Sequence, residues 1–274
     1  MEASFQSHVN VSVIIPCHNS SKYIAQTVES VQAQTLPDIE IVFIDDGSQD
    51  NTVEAIRQII ARADNVAMKL ICQKNAGVAA ARNRGIAEAR GDYILPLDAD
   101  DLIESGMLEE CFARLEGDLE SAIAYTDRSD FGDINRDVDA GVFELERLKY
   151  FNQLTYCSLY RKSLWTTLGG YRVNVSGFDD WDFWIAAALR GYRAVHIAQP
   201  LVKHRRRRDS TLWSLLDSYE ALFAHIILNN AGAYSQDELE AARRFELSKE
   251  SSPILKASKF VYINRYYEGY PCAC

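Results

Sequence analysis

Val11-Ser12-Val13-Ile14-Ile15 is a largely β-branched run ended by Pro16. It is apolar at successive positions as well as alternate ones, so it reads as a strand covered on both faces, the kind that fills parallel sheets. From Lys22 the spacing turns helical, with Ile24, Val28 and Val31 on one face, and Pro37 closes that segment. A second strand, Glu40-Ile41-Val42-Phe43-Ile44, runs into Asp45-Asp46-Gly47-Ser48, and helical spacing returns at Val53, Ile56 and Ile60. Lys69-Leu70-Ile71-Cys72 leads to Asn75-Ala76-Gly77 and an alanine-rich helix through Ala89. A fourth strand, opening on Tyr93-Ile94-Leu95, ends in Leu97-Asp98-Ala99-Asp100-Asp101. Such β-α-β alternation requires crossover connections. It predicts an α/β fold with a mostly parallel central sheet flanked by helices.

In open sheets of this kind ligands bind beyond the carboxyl ends of the strands. The polar clusters at residues 16–19, 45–48, 75–77 and 98–101 should therefore converge on one crevice. If Asp98 and Asp100 continue the strand, alternation points them the same way and Ala99 the other, giving a two-carboxylate claw for a hard cation. Mg²⁺ or Mn²⁺ commonly sits between such carboxylates and phosphate oxygens. The plainer reading is an acidic turn capping the next helix. The chain has neither a Gly-x-Gly-x-x-Gly fingerprint nor a Walker-type lysine loop, so a typical dinucleotide fold and a P-loop NTPase both fit poorly.

The 274 residues are 47% hydrophobic, enough for a large core, and the formal net charge of -10 argues against a nucleic-acid partner. The basic run Lys203-His204-Arg205-Arg206-Arg207-Arg208 is the local exception. It reads as a solvated loop, or as a contact to a diphosphate or an anionic lipid surface. Six cysteines without paired spacings suit a reducing compartment, and Cys272-Ala273-Cys274 reads as tail. Met1 to Val9 lacks the features of a signal peptide, and no apolar run approaches the roughly 20 residues of a membrane span. A cytoplasmic protein is expected, with peripheral contact at the inner face of the membrane left open.

After Glu104 the pattern suggests a helix over 108–115, a strand over 122–125 and an irregular acidic loop over 127–139. Gly177-Phe178-Asp179-Asp180-Trp181-Asp182-Phe183-Trp184 then opens a helix. One acid would suffice for the positive amino end of that helix. Three acids interleaved with tryptophans suggest a pocket with an aromatic wall and a carboxylate positioned as a base. From Thr211 the chain reads as helices over 212–228, 237–249 and 254–267, with a break at Asn229-Asn230-Ala231-Gly232. Their aromatic residues, Trp213, Phe223, Phe260, Tyr266 and Tyr267, suggest packing on the core, an acceptor-side cover, or a homodimer or membrane contact. The expected division is 9–212 as a catalytic domain and 213–274 as a C-terminal helical extension.

Five stretches, in this order, resemble the family 2 inverting glycosyltransferases of the GT-A type, a Rossmann-like nucleotide-binding fold. They are Val11 to Asn19, Phe43 to Ser48, Asn75 to Gly77 with Ala81-Arg82-Asn83-Arg84-Gly85, Leu97 to Asp101, and Asp179 to Asp182. The resemblance covers roughly Val11 to Thr211. It implies transfer of a hexosyl or N-acetylhexosaminyl group from a nucleotide-sugar, a UDP-sugar being the expected donor, to a glycan or lipid-linked acceptor in cell-envelope or exopolysaccharide synthesis. It further implies that Pro16, Cys17, His18 and Asn19 line the nucleoside pocket, that Asp46 bonds the base, and that Asn75 and Gly77 border the nucleoside. Arg82 would lie near the donor sugar and phosphates. Asp98, Ala99 and Asp100 would form the Asp-x-Asp motif, with Asp100 and Asp98 holding Mn²⁺ or Mg²⁺ and Asp98 also lying against the ribose or sugar. Asp180 matches the general base, with Asp179 and Trp181 shaping the acceptor side.

Many relatives carry a histidine after the last core strand where Arg207 falls here. Arginine cannot ligate a cation but can bind the diphosphate, and His204 remains a minor candidate. Two other classes stand beside this one: a magnesium-dependent phosphohydrolase, whose nucleophile normally sits on the earliest strand, and a catalytically silent nucleotide-sugar binding subunit.

Overall fold

In the computed structural model, which describes residues 9–63, 66–208 and 215–266, the apolar runs become the inner strands of one sheet. β1 (Val11–Cys17), β2 (Ile39–Asp46), β3 (Ala67–Gln73) and β4 (Tyr93–Pro96) pair in parallel in the order β3-β2-β1-β4. Strand alternation divides their side chains between two apolar layers. Ile14, Val42 and Ile44 face α3 (Val78–Ala87), whereas Val13, Ile15 and Phe43 face α1 (Ile24–Gln32) and α4 (Met107–Gly117). α2 (Thr52–Arg62) connects β2 to β3. Pro16 lies inside β1, opposite Ile44, and does not end it.

β5 (Leu102–Ile103), β6 (Ser121–Gly132), β7 (Arg136–Val138), β8 (Leu159–Arg161) and β9 (Arg193–Arg206) extend the sheet, with β8 antiparallel between β4 and β6 and with β6 and β9 parallel. The four parallel pairings carry most of the ladder. α5 (Leu145–Leu148) and α6 (Lys162–Leu168) flank β8, and α7 (Asp179–Leu189) precedes β9.

Three local expectations are corrected. The supposed acidic loop over 127–139 is mostly the second half of β6 and the hairpin to β7. The basic run is strand through Arg206 rather than a solvated loop. β4 ends at Pro96, so Asp98 to Asp101 form a turn closed by Asp101 N donating to Asp98 O at 3.1 Å, and strand alternation does not orient the acids.

The C-terminal part contains α8 (Tyr219–Asn229), α9 (Gln236–Ser248) and α10 (Pro253–Tyr266). A turn over 216–218 precedes the first of these, and the expected start at 212 lies outside the described residues. A capping box starts α9: Ser235 Oγ accepts from Glu238 N, and the Glu238 carboxylate accepts from Ser235 N at 2.8 Å. Tyr219, Phe223 and Tyr262 share one core with Phe178, Trp181 and Trp184, whereas Phe260 is 69% exposed. Among the described residues no helix is long and apolar enough to cross a membrane. The expectations about residues 1–8, Thr211, Leu212, Trp213, Tyr267, Cys272 and Cys274 lie outside the described residues.

Candidate active site

The carboxyl ends of β1, β2 and β4 open into a cleft of about 550 Å³. The start of α3 and the turn before it, the start of α7, the end of β9, an irregular segment at 152–156, Tyr23, Arg128, and Leu215 and Tyr262 from the C-terminal part also line it. Of the residues singled out from sequence, Pro16, Cys17, His18, Asn19, Asp46, Asn75, Gly77, Arg82, Asp98, Ala99, Asp100, Asp180, Trp181, His204 and Arg207 line this cleft, and Asp179 does not.

The loops after β1 and β2 are laced together. Asn19 takes a positive φ of 52°, where asparagine is tolerated, and its backbone N–H donates to Ser48 Oγ at 3.0 Å. His18 Nδ1 lies 2.9 Å from Asp46 O and 3.3 Å from Asn75 Nδ2. Burial pushes the Cys17 thiol well above its ordinary range, so it serves as an apolar wall rather than a nucleophile.

Asp46 is 4% exposed and fastens the next loop: Oδ1 accepts from Ala76 N and Gln73 Nε2, each at 2.8 Å, and Oδ2 from Gly77 N at 2.9 Å. Gly77 stands just before α3 at φ 87°, a left-handed conformation that favours glycine.

Arg82 is the central connection. Nearly buried, it donates from Nη2 to Asp98 Oδ1 at 2.7 Å and from Nη1 to Asp179 Oδ2 at 2.8 Å, and lies over the Tyr156 ring at 5.1 Å. Burial disfavours its charge, but Asp179 and Asp98 hold its pKa above the ordinary value. Asp100 Oδ2 pairs with Arg207 Nη2 at 2.7 Å. Asp101 is spent internally, accepting from Arg205 N at 2.6 Å and from the Tyr156 hydroxyl, and burial pushes its carboxyl up to about 7.

Asp98 Oδ2 and Asp100 Oδ1 accept no hydrogen bond among the described residues. Two hard oxygens at the rim of a cleft, next to arginines, fit a divalent cation completed by phosphate oxygens. His204 lines the same cleft but turns Nδ1 toward Asp130 Oδ1, 3.6 Å away.

At the start of α7 the three acids separate. Asp179 is fully buried, held by Arg82 and by Gly177 N at 2.9 Å, so it braces the site from below rather than shaping the acceptor side directly. Asp182 is tied to Arg172 at 3.1 Å and to Asn230 Nδ2 at 2.8 Å, anchoring the C-terminal helices. Asp180 alone lines the cleft, accepting at Oδ2 from Asn152 Nδ2 at 2.7 Å. Burial, helped by the charge of Asp179, pushes its carboxyl up to about 6 while Arg82 and Asn152 pull it back. Trp181 is 1% exposed, stacked on Phe223 at 5.5 Å and donating from Nε1 to Leu148 O, so it is a floor more than an open aromatic face.

Asn152, Leu154, Thr155 and Tyr156 form a wall of the cleft that sequence reasoning missed, as it missed Tyr23, Arg128 and Tyr262. Residues 151–158 lie between α5 and β8, outside any helix or strand, and carry no periodicity or motif. Only the side chains that reach them from distant elements mark their role.

A family model described as Glycosyl transferase family 2 matches residues 12–176. The chain is 31% identical over 179 residues to the chondroitin synthase of Escherichia coli, an alignment covering 64% of this chain. The alignment spans 26% of that protein, so this chain corresponds to about a quarter of its length. Among solved structures, residues 1–349 of S. aureus TarS in complex with UDP-GlcNAc match with a TM-score of 0.68 at 22% identity, over 96% of this chain and 82% of that one. The mannosyltransferase PcManGT from Pyrobaculum calidifontis, in complex with GDP-Man and Mn²⁺, matches with a TM-score of 0.66 at 18% identity, over 97% and 77%. At such identities the likeness is one of fold, and the expected GT-A architecture is the one observed.

Proposed function

This chain belongs to glycosyl transferase family 2, and on that premise we propose that it transfers a sugar from a nucleotide-diphosphate sugar to an acceptor hydroxyl with inversion at the anomeric carbon. The observation that carries this reading is the spanning role of Arg82, which ties Asp98 on one side of the cleft to Asp179, the immediate neighbour of Asp180, on the other. Donor-side carboxylates and a candidate base therefore belong to one braced unit.

The loops containing Pro16 to Asn19, Asp46, Asn75 and Gly77 receive the nucleoside. A UDP-sugar is the expected donor, and the UDP-GlcNAc and GDP-Man bound by the two fold relatives support a nucleotide-sugar of this general kind. Asp98 and Asp100 would hold Mn²⁺ or Mg²⁺, which supplies charge neutralisation for the departing diphosphate. Arg207, and Arg82 behind it, add positive charge on the same side as negative charge grows on the leaving group. Asp180 orients the acceptor hydroxyl and takes its proton during attack, and a single displacement of this kind inverts the centre. The acceptor is a glycan or a lipid-linked sugar, and relatives named for polysaccharide synthesis support that role. The expected division at 212 would make the preceding residues the catalytic part, with α8, α9 and α10 covering its acceptor side.

Calorimetric titration with UDP, GDP and dTDP, each with Mn²⁺ and then with excess chelator, tests the reading. Binding of one nucleotide that weakens on chelation is expected; no binding by any of the three would overturn it.

A further inference from the structure

We propose that Asn152 is the positioning residue of this cleft: its side-chain amide holds the Asp180 carboxylate in the orientation that meets the acceptor hydroxyl. The inference rests on the reading of Asp180 as the base and assigns a role to a residue that no motif marks.

The geometry is specific. Asn152 is 8% exposed, lines the same cleft as Asp180, and donates from Nδ2 to Asp180 Oδ2 at 2.7 Å, the short end of the hydrogen-bond range. The segment bearing it is itself fixed from several directions. Tyr156 bonds Asp101, Ser158 Oγ donates to Thr155 O at 2.8 Å, Trp181 Nε1 to Leu148 O at 2.5 Å, and Tyr234 OH to Lys149 O at 3.0 Å. The amide is therefore presented by a braced wall.

The charged groups that face Asp180 are Asp179 on its own helix and Arg82 from α3, with the Trp181 backbone N–H as a further donor. Arg82 is already engaged by Asp98 and Asp179. A neutral amide fixes the carboxylate without adding an opposite charge. A cation in its place would hold the carboxylate too acidic to accept a proton, and an apolar side chain would let it protonate too readily. The carboxyl at about 6 is ionised at neutral pH yet basic enough to work.

The test is a ¹³C-carboxyl NMR titration of aspartate-labelled protein, with the Asp180 signal assigned through its loss in Asp180→Asn. In Asn152→Leu the Asp180 midpoint should rise by about one unit, the size expected for losing a hydrogen bond to a charged group. In Asn152→Asp, close in shape and so the safer variant for folding, a second carboxylate at Oδ2 should raise it further. The acid limb of kcat should move by the same shift while the donor KM stays within about twofold. An unchanged midpoint in the folded Asp variant would overturn the proposal. If the midpoint moves but the wild-type protein transfers no sugar, the pairing stands and the base assignment falls, so the two failures are distinguishable.

Discussion

Asp180 and Asp182 stand two positions apart at the start of one helix, yet their surroundings give them opposite chemistry. Asp182 is surrounded by Arg172, Asn229 and Asn230 and is spent on packing, whereas Asp180 keeps access to the cleft. Asp180→Asn, nearly the same shape without the basic oxygen, should lower kcat by about 10²- to 10⁴-fold and leave nucleotide affinity measured by calorimetry unchanged; wild-type turnover would remove the base. The working form is the carboxylate, so activity should be full above a pH of about 6 and fall as pH drops through that value, as a kcat profile would report. On the donor side, Asp100→Ala should abolish the chelator-sensitive part of nucleotide binding, read by titration with and without Mn²⁺, because it removes one of the two carboxylate oxygens that accept no hydrogen bond among the described residues. The acids were legible because carboxylates beside an apolar run are conspicuous, and Arg82 only through the family resemblance of the Ala81-Arg82-Asn83-Arg84-Gly85 stretch. Asn152 was not, because an amide in an aperiodic segment looks the same whether it faces water or a base.

β6 and β9 show why two elements were misread together. An acidic stretch and a basic stretch each look like solvated loop when read alone. Paired in parallel, Ser129 stands opposite Lys203, Asp130 opposite His204, Phe131 opposite Arg205 and Gly132 opposite Arg206. Asp130, 2% exposed, also takes Arg128 at 2.9 Å and Arg136 at 3.1 Å. The acidic run supplies much of its own countercharge and meets the basic run through His204, 3.6 Å from Asp130, and Arg206, 4.0 Å from it, a long-range relation that local periodicity does not contain. Asp130→Ala should therefore take the carboxylate away from the buried Arg128 and cost about 3–5 kcal/mol, measured as a lowered denaturant midpoint; a shift of a few tenths would show that the pairing is incidental. Apart from Pro16, which lies within β1 rather than ending it, the elements from β1 to α3 were read correctly because their signals are local. Gly85 is a further exception, a tight helix–sheet approach: a Cβ there would meet Ile44 Cδ1 and stand 2.6 Å from Ile14 Cγ2. Gly85→Ala should destabilise by about 1–3 kcal/mol through overpacking, with thermal unfolding as the check.

For the whole molecule the question is whether the C-terminal helices are an appendage or part of the catalytic body. Phe223 from α8 stacks on Trp181 at 5.5 Å, Tyr262 from α10 stacks on it at 6.3 Å, and Tyr219 meets Phe178 edge-on at 5.5 Å. Phe178 and Trp181 flank the two acids on which the proposed chemistry and its bracing depend, so the floor beneath Asp180 is built partly from residues beyond 213. Sequence alone showed these helices to be aromatic, but it could not show which surface they cover, because that depends on a contact between distant segments. If they are integral, Phe223→Ala should cost about 3–5 kcal/mol and unfold in one transition with the rest of the chain, and a chain ending at residue 212 should lose both its cooperative transition and nucleotide binding. Differential scanning calorimetry of the variant and the truncation decides the matter. A truncated chain that melts cooperatively and still binds the nucleotide would make the helices a separate cover, and the bracing of Asp180 would then have to come from Arg82, Asp179 and Asn152 alone.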